Sequence, residues 1–174
     1  LAEKARQDRV AYDVWHKQGF LQATPGASIS YDFVAQHLRG VFNRYDVQRL
    51  AFDRYNMKFL TPCLVRAGFT PEELERFEPF GQGMVSMSPA LRELETMLLR
   101  GELRHGNHPV LTMCAGNAVL ETDAAENRKF TKKKATGRID GMVALAMAVG
   151  VARIGEAADD SATFDDFIMN PIGR

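Results

Sequence analysis

Cysteine is scarce in this 174-residue chain, which has only Cys63 and Cys114. The two stand far apart among apolar neighbours, which excludes a disulfide framework and points to reduced, buried thiols in a cytosolic protein. Net charge is absent as well, because 22 basic and 22 acidic residues cancel. No global field therefore marks a nucleic-acid binder, and any such role must rest on local patches. No apolar run reaches membrane-spanning length, and no signal-peptide pattern is visible. Internal repeats, a Gly-rich phosphate loop and a Walker A motif are also missing. His105 and His108 invite a zinc reading, but two Cys and four His without a ligand-like cluster do not make a zinc site.

What is present is an ordinary globular composition, 45% hydrophobic and 25% charged, at a one-domain length. Charge is distributed unevenly. Residues 128–138 hold Arg128, Lys129, Lys132, Lys133, Lys134 and Arg138 without an acid, whereas Glu156 to Asp166 is acidic. The chain opens on Leu1 rather than Met, inside a charged helical pattern, and is expected to be a fragment of something longer.

Residues 8–18 place Val10, Val14 and Trp15 on one helical face, with Gly19 as the stop. Phe20 to Thr24 reads as a brief strand before the Pro25-Gly26 turn. From Tyr31 to Tyr45, Phe33, Val34, His37, Leu38, Val41, Phe42 and Tyr45 recur at helical steps. Val47 to Phe52 is a short apolar run that feeds Asp53, and a further helix follows from Met57 to Ala67. This alternation predicts an α/β fold, in which functional side chains gather just beyond the carboxyl ends of strands. Asp53 has that address, although an acid there is also the ordinary cap of the next helix.

Thr70-Pro71-Glu72-Glu73 opens a helix with a cap and an acid at the third position. Phe77 to Phe80 is a candidate strand, and Met84, Val85 and Met87 read as core. Ser88-Pro89 starts a helix that runs through Arg100. A helix from Pro109 to about Ala115 precedes a last short strand, Asn117 to Thr122. The stretch from Lys132 to Gly150 stands apart: cations and a Gly-containing turn lead to Asp140, and no charge lies between Gly141 and Ala152. Such a helix must be buried along most of its length. Asp140 at its start fits helix capping and the dipole, and equally fits a metal ligand set beside phosphate-binding cations.

Several pieces then coincide in order. They are Arg9, Trp15, Gly19 and Thr24-Pro25-Gly26; Ala51-Phe52-Asp53-Arg54-Tyr55-Asn56; Phe80-Gly81-Gln82-Gly83 with Ser86-Met87-Ser88-Pro89-Ala90; Leu103-Arg104-His105-Gly106-Asn107-His108-Pro109-Val110; Asn117-Ala118-Val119; Asp123 with Asn127; and Lys132-Lys133-Lys134 with Gly137-Arg138-Ile139-Asp140-Gly141. From about residue 8 to 153 this resembles the C-terminal nuclease domain of the large terminase subunit of tailed bacteriophages, the motor that packages and cuts concatemeric DNA.

The resemblance implies a ribonuclease-H-like mixed sheet flanked by helices, spanning residues 1–155, with 156–174 as an acidic then apolar tail that docks on a partner or folds back. It implies that Asp53 and Asp140 are catalytic, metal-binding acids for two Mg²⁺ or Mn²⁺ ions, one activating water and the other stabilising the leaving oxygen. Lys132, Lys133, Lys134 and Arg138 would bind DNA phosphates, or else form a solvated loop. His105 and Asn117 recur in the resemblance, with a structural hydrogen bond as the expected role. The family's first acid lies on the first strand of its sheet, and no such strand is found upstream of Asp53. Asp32 opens a helix and Asp46 sits in a turn, so the chain is expected to lack its first strand and one ligand. The partners implied are double-stranded DNA, an ATPase domain in the same full-length chain, and a portal, procapsid and small terminase subunit, all in the host bacterial cytoplasm. Two rivals stay open: a ribonuclease-H-like resolvase or transposase core, and a non-catalytic DNA-binding or motor-docking module.

Overall fold

The computed structural model describes residues 1–26, 28–55 and 57–152. The tail from 156 to 174 lies outside the described residues. Two short helices, α1 (Ala2–Asp8) and α2 (Tyr12–Lys17), come first. The single helix expected over 8–18 is broken because Arg9 adopts left-handed backbone, φ 54° and ψ 42°, which ends α1. Val14 is exposed, and Trp15 meets Tyr12 edge-on at 6.2 Å. Gly19, at φ 81°, stops α2 as expected. Residues 20–24 form no strand.

Helix α3 (Tyr31–Arg44) begins at Ser30, whose Oγ accepts from Phe33 N–H at 3.3 Å. Its inward face centres on Ala35, Leu38 and Phe42. His37 and Tyr45, expected on that face, are exposed. Helix α4 (Met57–Arg66) packs against it, and Gly68 at φ 87° turns the chain out of α4. Helix α5 (Pro71–Leu74) carries the expected capping box: Thr70 Oγ1 accepts from Glu73 N–H, and the Glu73 carboxylate accepts from Thr70 N–H.

Strands β1 (Leu50–Phe52) and β2 (Phe77–Pro79) pair in parallel, Leu50 opposite Phe77 and Phe52 opposite Pro79. Parallel neighbours require a crossover, which α4 and α5 supply. Phe80 N–H extends the ladder by donating to Phe52 C=O at 2.8 Å. Helix α6 (Met84–Leu99) begins a full turn before the expected Ser88-Pro89 start, because Gly83 is the cap residue and Met87 N–H already donates to Gly83 C=O. Pro89 is thus interior, and Val85 faces solvent instead of the core while Met87 is buried.

Helix α7 (Pro109–Asn117) runs two residues longer than expected, ending at Asn117 itself. Strand β3 (Leu120–Thr122) is not the last strand, since β4 (Arg128–Phe130) returns antiparallel to it, Leu120 opposite Phe130. Arg128 and Lys129, two of the six cations of 128–138, therefore belong to a ladder. Lys129 pairs across it with Glu121 at 3.0 Å, and Arg128 reaches Glu95 at 2.8 Å. Residues 140–152 form helix α8. In place of one mixed sheet, the described residues carry two two-stranded ladders.

Among the described residues, two cores hold the elements together. Ala35, Cys63, Leu64, Phe69 and Phe77 tie α3 and α4 to β2. A larger cluster sets Phe80 and the α6 residues Met87, Ala90, Leu91 and Leu94 against Ile139, Val143, Ala146, Met147, Val149 and Val151 around α8. The expected burial of α8 holds on that face. Ala144, Ala148 and Ala152 form an exposed face of small side chains. Both cysteines are free and buried.

Candidate functional site

Strand β1 ends at Phe52, and the next residue, Asp53, is exposed at the carboxyl end of the ladder. Its carboxylate is oriented from two sides. Tyr55 N–H donates to Oδ1 at 3.1 Å, and Gln82 Nε2 donates to Oδ2 at 2.7 Å. Gln82 comes from the loop that joins β2 to α6, so the parallel pairing of β1 and β2 is what brings donor and acceptor together. Sequence reading places Gln82 in a recurring motif but assigns it no task, and only the register reveals one.

Asp140 is the first residue of α8, where unpaired N–H groups and the helix dipole favour a carboxylate. The buried side chains of Ile139 and Val143 anchor the turn on either side of it. Lys132 Nζ lies 3.5 Å from Asp140 Oδ1, and both side chains are 65% exposed. An ion pair this open to water is weak and exchangeable.

Asp53, Gln82, Lys132 and Asp140 line one cleft of about 990 Å³. One wall is β1 with its approach, Val47 to Phe52; the other is the α8 face that includes Ala144, Ala148 and Ala152. Among the described residues β1 has β2 as its only ladder neighbour, so the edge of β1 away from β2 is open. The two acids singled out from the sequence, far apart in the chain, therefore face the same space. Asp32 and Asp46 do not: Asp32 is paired with Arg66 at 2.6 Å and Asp46 with Arg76 at 3.5 Å, and neither lines the cleft. Among the described residues no group of three or more His, Cys, Asp or Glu side chains is arranged to hold a metal.

The basic segment divides. Lys132 lines the cleft, Lys133 and Lys134 are exposed, and Arg138 lines a second cleft of about 700 Å³ that also includes Lys132 and Asp140. Asn117 has the structural role expected of it. Its Nδ2 donates to Arg138 C=O at 3.1 Å, and its Oδ1 accepts from Thr136 Oγ1 at 2.9 Å, so the end of α7 fixes the turn before Asp140. A Cβ at Gly137 would stand 2.7 Å from Asn117 Nδ2, so a larger residue there must displace this amide. His105 Nδ1 accepts from Asn107 N–H at 3.2 Å within its own loop.

Comparison with known proteins gives a consistent result. The family model for the terminase large subunit, endonuclease domain, matches residues 2–156. The chain is 46% identical over 172 residues to the terminase large subunit of Enterobacteria phage HK97, covering 99% of this chain and 33% of that protein. It is 29% identical over 161 residues to protein YmfN of Escherichia coli (strain K12), covering 90% of this chain and 34% of that one. The crystal structure of the HK97 bacteriophage large terminase superposes with a TM-score of 0.80, over 87% of this chain and 31% of that chain. The chain thus spans about a third of the length of the relatives it matches. With this coverage and identity, the chain belongs to the endonuclease-domain family of the terminase large subunit.

Proposed function

We propose that this domain cuts concatemeric double-stranded DNA during phage packaging, as a divalent-metal-dependent endonuclease. The observation that carries the reading is the convergence of Asp53 and Asp140 on one cleft that also presents Lys132. Two exposed carboxylates are hard oxygen donors suited to Mg²⁺ or Mn²⁺, which commonly bind through one or two protein acids and complete their shell with water. The chain's own donors, two carboxylates facing one cleft, would supply part of a two-ion site. A further acid would come on a strand from outside residues 1–152, pairing with the open edge of β1 and completing the ribonuclease-H-like sheet. When bound, the metal would supply an activated water and charge stabilisation at the leaving oxygen.

The remaining roles belong to the chain. Gln82 and the Tyr55 N–H hold the Asp53 carboxylate in one orientation. Lys132, Lys133, Lys134 and Arg138 would position phosphates, so DNA binding should weaken as salt rises. Residues 1–155 would act as the nuclease domain and 156–174 as a docking tail. In the whole protein the expected partners are an ATPase domain, portal, procapsid and small terminase subunit in the host bacterial cytoplasm.

Mn²⁺ titration of isotope-labelled protein tests the reading. Amide signals around Asp53 and Asp140 should broaden together, and the Asp140→Asn variant should abolish both effects. Absence of a common broadened site at millimolar metal, in a folded protein, would leave a non-catalytic DNA-binding module as the better account.

A further inference from the structure

The second cleft includes Lys132, Arg138 and Asp140, while its other walls have no role in the reading above. It is walled by the turn between α1 and α2 (Asp8, Arg9, Val10, Tyr12), by Met113 and Asn117 of α7, and by residues 136–140. The two clefts share Lys132 and Asp140 and no other residue, so they meet at the proposed metal ligand. Arg138, exposed, lines the cleft, and its charge acts on Asp8 and Tyr12. Arg9 is exposed, and its side chain makes no hydrogen bond or ion pair among the described residues.

Acids are present too, but each is already engaged. Lys4 lies 3.0 Å from Asp8 Oδ1 and Tyr12 OH donates to Asp8 Oδ2 at 3.1 Å, while Lys132 attends Asp140. Arg9 is therefore the cation of the cleft that has no partner among the described residues. Its backbone is unusual as well. Arg9 occupies left-handed space where Gly or Asn would rest more easily, and that conformation creates the turn that brings its segment to the cleft. Opposite it, the 136–138 turn is pinned by Asn117 rather than left free.

We propose that this second cleft is a phosphate subsite for the DNA strand flanking the cut, with Arg9 and Arg138 holding the backbone phosphates that follow the one at Asp53 and Asp140. The strand passes from the first cleft over Lys132 into the second. The subsite rests on the endonuclease reading and extends it by a residue, Arg9, about 130 positions from the basic segment.

Duplex oligonucleotide binding, followed by anisotropy across a salt series in chelator, tests the subsite without reference to cleavage. Arg9→Gly and Arg9→Asn both accept left-handed backbone, so neither should lower the thermal midpoint. Each should bind several-fold more weakly and lose about 0.9 from the slope of log K against log salt, the signature of one lost phosphate contact. Arg100→Gln, a surface cation whose neighbour is Glu102, should keep the wild-type slope. If both Arg9 variants retain wild-type affinity and slope, or if Arg100→Gln loses as much as they do, the subsite is overturned while the first cleft is untouched. A folded wild-type protein with no salt-dependent DNA binding overturns the subsite and the endonuclease reading together.

Discussion

Replacing Gly150 by Ala sets two ordinary effects against each other inside α8. Helix propensity alone favours Ala by about 0.8–1.0 kcal/mol. The methyl, however, would stand 2.5 Å from Phe80 Cε2, 2.6 Å from Phe80 Cζ and 3.1 Å from Ala90 Cβ. Phe80 has little room to retreat, being 6% exposed with its N–H tied to Phe52 C=O at 2.8 Å. Overpacking a tight core costs about 1–3 kcal/mol, and contacts with two ring atoms below 3 Å place this case in the upper half. Subtracting the propensity gain leaves a net loss of about 1–2 kcal/mol, or a fall of very roughly 2–8 °C in Tm for a chain of this size. Gly40→Ala in α3 is the matched control, because nothing lies within 4 Å of a Cβ there. It should stabilise by up to about 1 kcal/mol. Urea unfolding of both variants measures the pair, and Gly150→Ala with Phe80→Leu should recover part of the loss through positive coupling. A Gly150→Ala protein as stable as wild type, beside the expected gain at Gly40, would refute the packing assigned to Phe80.

Two further outcomes concern charge and orientation. Arg39 donates to both Glu73 oxygens, at 2.6 and 2.7 Å, and with Thr70 N–H it holds the Glu73 carboxyl down to about 2 from an ordinary 4.5. Because the folded value is depressed, the stabilisation is fully present above pH 4.5 and is lost as pH falls towards 2. Glu73→Gln should therefore melt lower than wild type at pH 6, with the gap smaller at pH 3 and closing only towards pH 2; an equal gap at pH 6 and pH 3 would contradict the pairing. Gln82→Leu removes the 2.7 Å hydrogen bond to Asp53 while leaving the carboxylate in place. Calorimetric Mn²⁺ affinity should drop about tenfold or more, as when an orienting partner of a metal ligand is lost, and unchanged affinity would show that Gln82 does not orient the site.

Much of this molecule can be read without coordinates where one local rule decides the outcome. The Thr70 cap with Glu73 at the third position, the stop at Gly19 and the address of Asp53 after an apolar run are of that kind. The start of α6 was misjudged because Ser88-Pro89 is a stronger local signal than Gly83. The buried Met87 side chain overrides it, and the helix tolerates an interior proline. Strand β4 escaped because Arg128-Lys129-Phe130 has a single apolar residue and reads as loop. Its partner is chosen by the Asp123 turn, whose Oδ1 accepts from the N–H groups of Ala125 and Asn127. That Asp and Asn spacing was the available signal. The places of Gln82 beside Asp53 and of Arg9 in the second cleft were invisible for a different reason. Their proximity arises from strand register and from one left-handed residue, and neither leaves a periodic trace in the chain.

The contact between Lys132 and Asp140 makes the cleft self-neutralising at rest. On the proposed reading, a divalent cation at Asp140 would have to evict the ammonium, which would lower the intrinsic affinity for the ion but free a positive group at the meeting point of both clefts. A phosphate that captures this lysine equally releases the carboxylate. Cation and DNA would then help one another to bind through a single exchanged partner, and by thermodynamic reciprocity the enhancement would be the same in both directions.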